Sequence, residues 1–235
     1  MLKNYFKIAW RNLARGKSFS VINISGLAIG MAGAVLILLW LQNEISFDKF
    51  HKNKDSLYEI YSLAASVDGK ASAFNFTSQP LGPELKQNFP EVEAIARVAE
   101  TDGFLFTAHE KTLTGIQGIF VDADFLNMFS FPLVQGAYHN QLNNVYSIVI
   151  TEKLAKKLFG EENALNKIIK IDSTDNFTVT GILKDIPVNT RFTFEYLLPW
   201  AYFKKLGWNN DSWESNNVKT FAQLKPGSSE TLFAK

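Results

Sequence analysis

The sequence predicts an α+β protein held in a membrane by one N-terminal helix, and three observations predict it. Residues 21–41, VINISGLAIGMAGAVLILLWL, contain no charged side chain. Five basic residues come before that stretch, and no Asp or Glu occurs before Glu44. After it, short runs of β-branched and aromatic residues alternate with capped amphipathic stretches, the pattern of strands and helices mixed in one external domain. The 235 residues are 46% apolar and include 20 Phe, 7 Tyr and 5 Trp, ample for a packed core.

The anchor comes first. At about 1.5 Å rise per residue, 21 helical residues from Val21 to Leu41 cover roughly 30 Å, the thickness of the hydrocarbon layer. A buried core helix is one alternative. A cleaved signal peptide is another, but its apolar region is shorter and ends in small residues, whereas this one ends Leu39-Trp40-Leu41-Gln42-Asn43-Glu44. Lys3, Lys7, Arg11, Arg15 and Lys17 precede the span and a mixed-charge segment follows it, so the N-terminus is expected in the cytoplasm and residues from about 43 outside. Leu2, Tyr5, Phe6, Ala9, Trp10 and Leu13 fall at helical spacing opposite the basic side chains, so residues 1–19 read as an amphipathic leader on the inner leaflet, with membrane lipid as its partner. Residues 20–42 are then the transmembrane helix. Gly26, Gly30 and Ala34 lie four apart, a small-residue stripe that would let a second helix pack closely.

In the external part, Leu57–Leu63 reads as a strand, Pro80–Asn88 as a short helix and Ile95–Val98 as a strand, together a β-α-β unit. Strands are expected at 104–108 and 115–121. Ser147–Ile150 is a strand leading to Thr151, the N-cap of a helix over 152–159 with Leu154, Ala155, Leu158 and Phe159 on one face and Gly160 after its end. Residues 167–171 and 177–183 form a hairpin around a polar turn, and Phe192–Leu198 is a strand. Pro199 at the first helical position and Gly207 after Leu206 frame a short helix. Lys219–Leu224 is a strand, and Pro226–Glu230 opens a helix too short to bury a face, from which the sequence is expected to be cut inside a folding unit.

Several chemistries lack their residues. The whole chain carries +1 and the first 42 residues +5, so the remainder sums to −4 and offers no basic face for nucleic acid. There is no cysteine, hence no disulfide, thiolate metal site or Cys nucleophile. Gly16-Lys17-Ser18 has Arg11 where a phosphate-binding loop needs its first Gly. His51, His109 and His139 stand singly and read as surface or turn residues. Asp122-Ala123-Asp124 lacks the Gly and Glu of a calcium loop and reads as a strand-end turn and N-cap. Asn75-Phe76-Thr77 and Asn176-Phe177-Thr178 match a glycosylation acceptor pattern that arises often by chance. No catalytic, cofactor or metal residue is expected.

The leader NYFKIAWRNLARGKSFSVINISGLAIGMA, the segment ISFDKFHKNKDSLYEIY, the block VDADFLNMFSFPLVQG and the long run SIVITEKLAKKLFGEENALNKIIKI followed by FTVTGILKDIP together resemble the MacB/FtsX-type permeases of ABC transporters with a MacB-like periplasmic core domain. One departure is Asn166 where similar proteins often have Gly; Asn tolerates the left-handed turn nearly as well. The resemblance implies a bacterial inner-membrane system in which a separate ABC ATPase subunit hydrolyses ATP and the permease transmits motion outward, in efflux or mechanotransmission. It implies as partners that ATPase, a second permease copy or half in a dimer, and a periplasmic adaptor or lipoprotein. It also implies a two-lobed external domain over residues 43–235, its membrane-proximal lobe built from about 55–115 and 219–235 and its inserted lobe from about 116–218. Family members continue through further spanning helices. The competing reading is a single-span sensor or scaffold, and a membrane-tethered hydrolase lacks a nucleophile and base.

Overall fold

The computed structural model describes residues 2–65, 71–101, 103–137 and 139–228. By internal contacts the chain forms two units, Met1–Phe47 and Asp48–Lys235.

The first unit is helical. Helix α1 spans Leu2–Arg15 and α2 spans Lys17–Ser46, with Gly16 (φ −98°, ψ 53°) breaking the run between them. The Gly-Lys-Ser triplet is therefore a helix junction. The 30 residues of α2 extend at both ends past the uncharged stretch, because Lys17, Ser18, Asn43 and Glu44 continue the backbone hydrogen bonding without being fit for hydrocarbon.

The second unit is built on one large mixed sheet. In chain order its elements are β1 Leu57–Ile60, β2 Ser62–Ala65, β3 Ala71–Phe74, β4 Thr77–Ser78, α3 Leu81–Asn88, β5 Val92–Glu100, β6 Phe106–Ala108, β7 Lys111–Leu113, β8 Gly118–Val121, α4 Phe125–Met128, β9 Leu133–Gln135, β10 Ser147–Thr151, α5 Glu152–Phe159, β11 Ile168–Ile171, β12 Asp175–Leu183, β13 Tyr196–Pro199, α6 Trp200–Lys205 and β14 Asn216–Leu224. The strand order is β1-β14-β5-β8-β13-β10-β12-β11-β6-β7, with β4 beside β14 and β9 beside β12; β2 and β3 form a separate hairpin.

Alternation along the central strands makes two cores, one on each face. Phe120, Ile148, Ile150, Tyr196 and Leu198 face the side covered by α5 and α6. Ile119, Val121, Val149 and Leu197 face the other, covered by α4 and by Phe129, Phe131, Phe192 and Phe194. Val92, Ile95, Ala222 and Leu224 form a third, smaller cluster near α3. Gly118 stands opposite Tyr196, where a Cβ would lie 2.2 Å from the Tyr196 ring; this glycine makes the space that the buried ring fills. The Tyr196 hydroxyl and Thr101 Oγ1 lie 2.6 Å apart, and burial pushes the phenol pKa to about 12.

Several expectations hold in detail. The Leu154 N–H donates to Thr151 Oγ1, Gly160 has φ 67°, and Leu154, Leu158 and Phe159 are buried. Asn166 has φ 63°. Gly207 follows α6 with φ 78°. The hairpin of β11 and β12 turns through Asp172 and Ser173, both left-handed, closed by the Thr174 N–H on the Ile171 carbonyl.

Others are corrected. Residues 57–63 are not one strand: β1 joins the large sheet, Tyr61 breaks the run, and β2 leaves for the hairpin with β3. The first β-α-β unit is a split one. β1 and β5 run in the same direction, but β14 lies antiparallel between them. Residues 192–195 are irregular and only 196–199 pair, because Phe192 and Phe194 are drawn into the aromatic cluster. Pro199 closes β13 and caps α6 one residue before the expected position. Residues 229–235, where a last helix was expected, lie outside the described residues.

Candidate functional site

The N-terminal helices display the expected charges. Lys3, Lys7, Arg11, Arg15 and Lys17 are all exposed, and α1 is strongly amphipathic, with Tyr5, Phe6 and Trp10 exposed on its apolar face. No residue of α2 is buried, although the helix is apolar enough to cross a membrane. Gly26, Gly30 and Ala34 are exposed, and a Cβ on either glycine would meet nothing within 4 Å.

The second unit begins at a polar clasp. Phe47 is extended (φ −58°, ψ 127°) and Asp48 takes a left-handed backbone (φ 55°), which Asp tolerates better than most residues. The Asp48 N–H donates to the Asn189 carbonyl at 2.9 Å. Its carboxylate accepts from Thr190 Oγ1 at 2.5 Å, from the Arg191 N–H at 3.2 Å and from Arg191 Nε at 2.7 Å. The other arm of Arg191 donates through Nη1 to Glu59 on β1 at 2.6 Å. Desolvation works against the guanidinium charge, yet the Asp48 hydrogen bond and the Glu59 and Asp48 carboxylates win, so Arg191 is more firmly protonated than usual. Glu59 also accepts from the Tyr61 hydroxyl at 3.2 Å, and its charge raises that phenol's pKa.

Beneath the clasp lies His51, a correction to its reading as a surface residue. Only 3% of it is exposed, and its ring packs 4.0–5.2 Å from the rings of Phe50, Phe129 and Phe131. Among the described residues neither ring nitrogen has a hydrogen-bond partner; Nε2 lies 3.9 Å from Asp48. Burial holds its pKa below the ordinary 6.5, Asp48 opposes that fall and Arg191 adds to it. A cavity of about 320 Å³ opens beside it, lined in part by Tyr58, Glu59, Tyr61, Arg191 and Phe221.

The other histidines fit the expectation. His109 is a left-handed turn residue between β6 and β7, with its ring against Phe159, and His139 is exposed. Among the described residues no group of three or more His, Asp or Glu is placed to hold a metal ion. Asp122-Ala123-Asp124 does form the strand-end turn, but neither carboxylate caps α4. Asp124 pairs with Lys86 at 2.7 Å. Asp122 grips Arg97 through its Nε and Nη2 and its backbone N–H, each at 2.8 Å. Arg97 also donates to the Gln79 carbonyl and lies 4.3 Å over the Trp200 ring. Sequence reasoning missed both arginine centres, since neither leaves a short-range signal.

A family model described as "MacB-like periplasmic core domain" matches residues 20–235. The chain belongs to that family. As a MacB-like domain it belongs with the permease family of ABC-type transporters. Solved structures share the fold. A domain assigned to a permease protein from Porphyromonas gingivalis is 21% identical with a TM-score of 0.64, covering 78% of each chain. The periplasmic region of MacB from Actinobacillus actinomycetemcomitans is 13% identical with a TM-score of 0.57, over 76% of this chain and 79% of that one. The extracellular domain of the noncanonic ABC-type transporter YknZ from Gram-positive bacteria is 18% identical with a TM-score of 0.50, over 76% and 86%. No curated protein matches the sequence. The MacB-like domain thus follows an N-terminal apolar helix in a membrane-anchored protein whose core domain lies outside the cytoplasm.

Proposed function

We propose that this MacB-like chain serves as the N-terminal part of an ABC permease subunit. ATP hydrolysis by a separate cytoplasmic partner moves its membrane helix, and the external domain passes that motion to cargo or to a periplasmic adaptor or lipoprotein, in export or mechanotransmission. The observation that carries this is the family match, which runs unbroken from residue 20 through the span and the whole external unit. Lys3, Lys7, Arg11, Arg15 and Lys17 hold the N-terminus at the inner face, and α1 lies on the inner leaflet. The Gly26, Gly30, Ala34 stripe is the face for another spanning helix of the same permease or of a second copy, and the open space beside both glycines supports that use. The membrane-proximal lobe is about residues 55–115 with 219–235, of which 229–235 lie outside the described residues, and the inserted lobe about 116–218; the pairing of β14 with both β1 and β5 supports joining the two ends.

Co-purification tests the reading. The full-length parent, solubilised gently from cells, is expected to bring down an ABC ATPase, and deletion of its gene to change an efflux or envelope phenotype. Loss of both results would end the permease proposal. Orientation is read separately: the chain has no cysteine, so single cysteines placed at Lys3 and at Tyr61 can be labelled in intact cells, with only the second expected to react.

A further inference from the structure

One residue, Phe47, separates the end of α2 at Ser46 from Asp48, where the external unit begins. No Gly- or Ser-rich linker lies between them, so a displacement of the last helical turn arrives at Asp48 with little slack. There the backbone and side chain of a single residue are both fixed, by the Asn189 carbonyl on one side and by Thr190 and Arg191 on the other. Arg191 then carries the connection on to Glu59 in β1, which pairs with β14 and through it with β5. Thr190 and Arg191 belong to residues 184–195, a segment between β12 and β13 with no regular structure, of the length at which a loop inside a compact domain usually has a function. The Arg191 side chain is 43% exposed, so the bridge can be broken without opening the core.

We propose that Arg191 is the positioning residue of this joint: by bridging Asp48 and Glu59 it converts movement of the first span into movement of the large sheet. The inference rests on the permease reading above. Without the bridge, Asp48 stays held to residues 189–191 by the Asn189 carbonyl, Thr190 Oγ1 and the residue-191 N–H, but the link from that loop to Glu59 on β1 is gone, and the loop takes up the displacement while the sheet stays behind. The fold survives such a loss because the Arg191 side chain is 43% exposed, where water replaces the lost partner.

The test uses the full-length permease with its ATPase in lipid nanodiscs. A fluorophore is placed at Ile168→Cys, an exposed position on β11 in a chain otherwise free of cysteine, and acceptor lipids report its height above the bilayer. The unaltered complex is expected to show an ATP-dependent change in energy transfer. Arg191→Ala is expected to keep ATP turnover and to lower the thermal midpoint by only about 2–4 °C, but to reduce that change roughly fivefold or more. Arg191→Lys, which keeps the charge but reaches one carboxylate at a time, is expected to recover part of it. Should Arg191→Ala fail to accumulate as folded complex, Asp48→Asn takes its place with the same expected loss. An unaltered complex that hydrolyses ATP with no change in transfer overturns the permease reading and this inference with it. A normal change in the unaltered complex together with an equal change in Arg191→Ala, or in Asp48→Asn where that variant substitutes, overturns the role of Arg191 alone.

Discussion

Two arginines of the external unit have nearly the same partners and different surroundings. Arg97 is 9% exposed in its side chain, doubly bonded to Asp122, roofed by Trp200 and in contact with the Gln79 carbonyl. Arg191 binds two carboxylates at shorter distances but is 43% exposed. Bond length alone would rank Arg191 as the more important. Burial reverses that order, because removing a charge from inside leaves its partner desolvated and unpaired, whereas water replaces a lost surface partner. The first pair is therefore a fastening of the fold, and the second a surface connection whose loss the core tolerates.

The sharpest way to break this comparison is Arg97→Ala. It is expected to lower unfolding free energy by about 3–5 kcal/mol, since Asp122 is left half-buried and Trp200 loses its cation; denaturant titration of the solubilised protein measures it. Gly118→Ala, in the strand next to β5, is expected to cost about 1–3 kcal/mol by driving a Cβ into the Tyr196 ring, and differential scanning fluorimetry reads the drop. At the other arginine, Arg191→Ala is expected to cost only about 1 kcal/mol and to lose most of that effect in 1 M salt, while the Arg97 penalty persists. Equal penalties, or equal salt dependence, would erase the distinction.

Acidification sharpens the second half of the comparison. The pKa of His51 is lower in the folded chain than the ordinary 6.5 of the unfolded one, so below about pH 6.5 the unfolded state takes up a proton that the folded state refuses. Stability from this residue is complete above that pH and declines as pH falls, by at most about 1.4 kcal/mol per pH unit. His51→Leu is expected to flatten the melting temperature against pH between 6.5 and the lower native pKa, leaving the carboxylate-driven loss at more acid pH. The smallest expected effect is Thr151→Ala, about 1 kcal/mol from the lost cap of α5, far from both arginines and unchanged by salt.

What could be read from the sequence was local. The apolar length of α2, the Thr151 cap with Gly160, and the left-handed Asn166 all rest on neighbours within a few positions, where propensity and capping rules act. The arginine centres were not legible. Arg97 and Asp122 lie 25 positions apart and Arg191 and Asp48 lie 143 apart, and nothing in the composition near either arginine announces its partner. His51 sits in a polar stretch, so its burial depends on Phe129 and Phe131 arriving from elsewhere. Residues 57–63 alternate well enough for one strand, and only the competing pairings, β1 with β14 and β2 with β3, divide them. The short strands β7 and β9, three residues each, carry too little pattern to be seen.

The place of β14 in the sheet has a consequence for biogenesis. Chains cross a translocon from one end, and Leu57 has to wait for Gln223 before its pairing partner exists. Throughout that delay β1 and one margin of β5 present unsatisfied amides to any extended peptide nearby. A holdase outside the membrane that shields exposed strands would raise the yield of such a protein, and slow export of the segment that carries β14 would lower it, without either touching the finished fold.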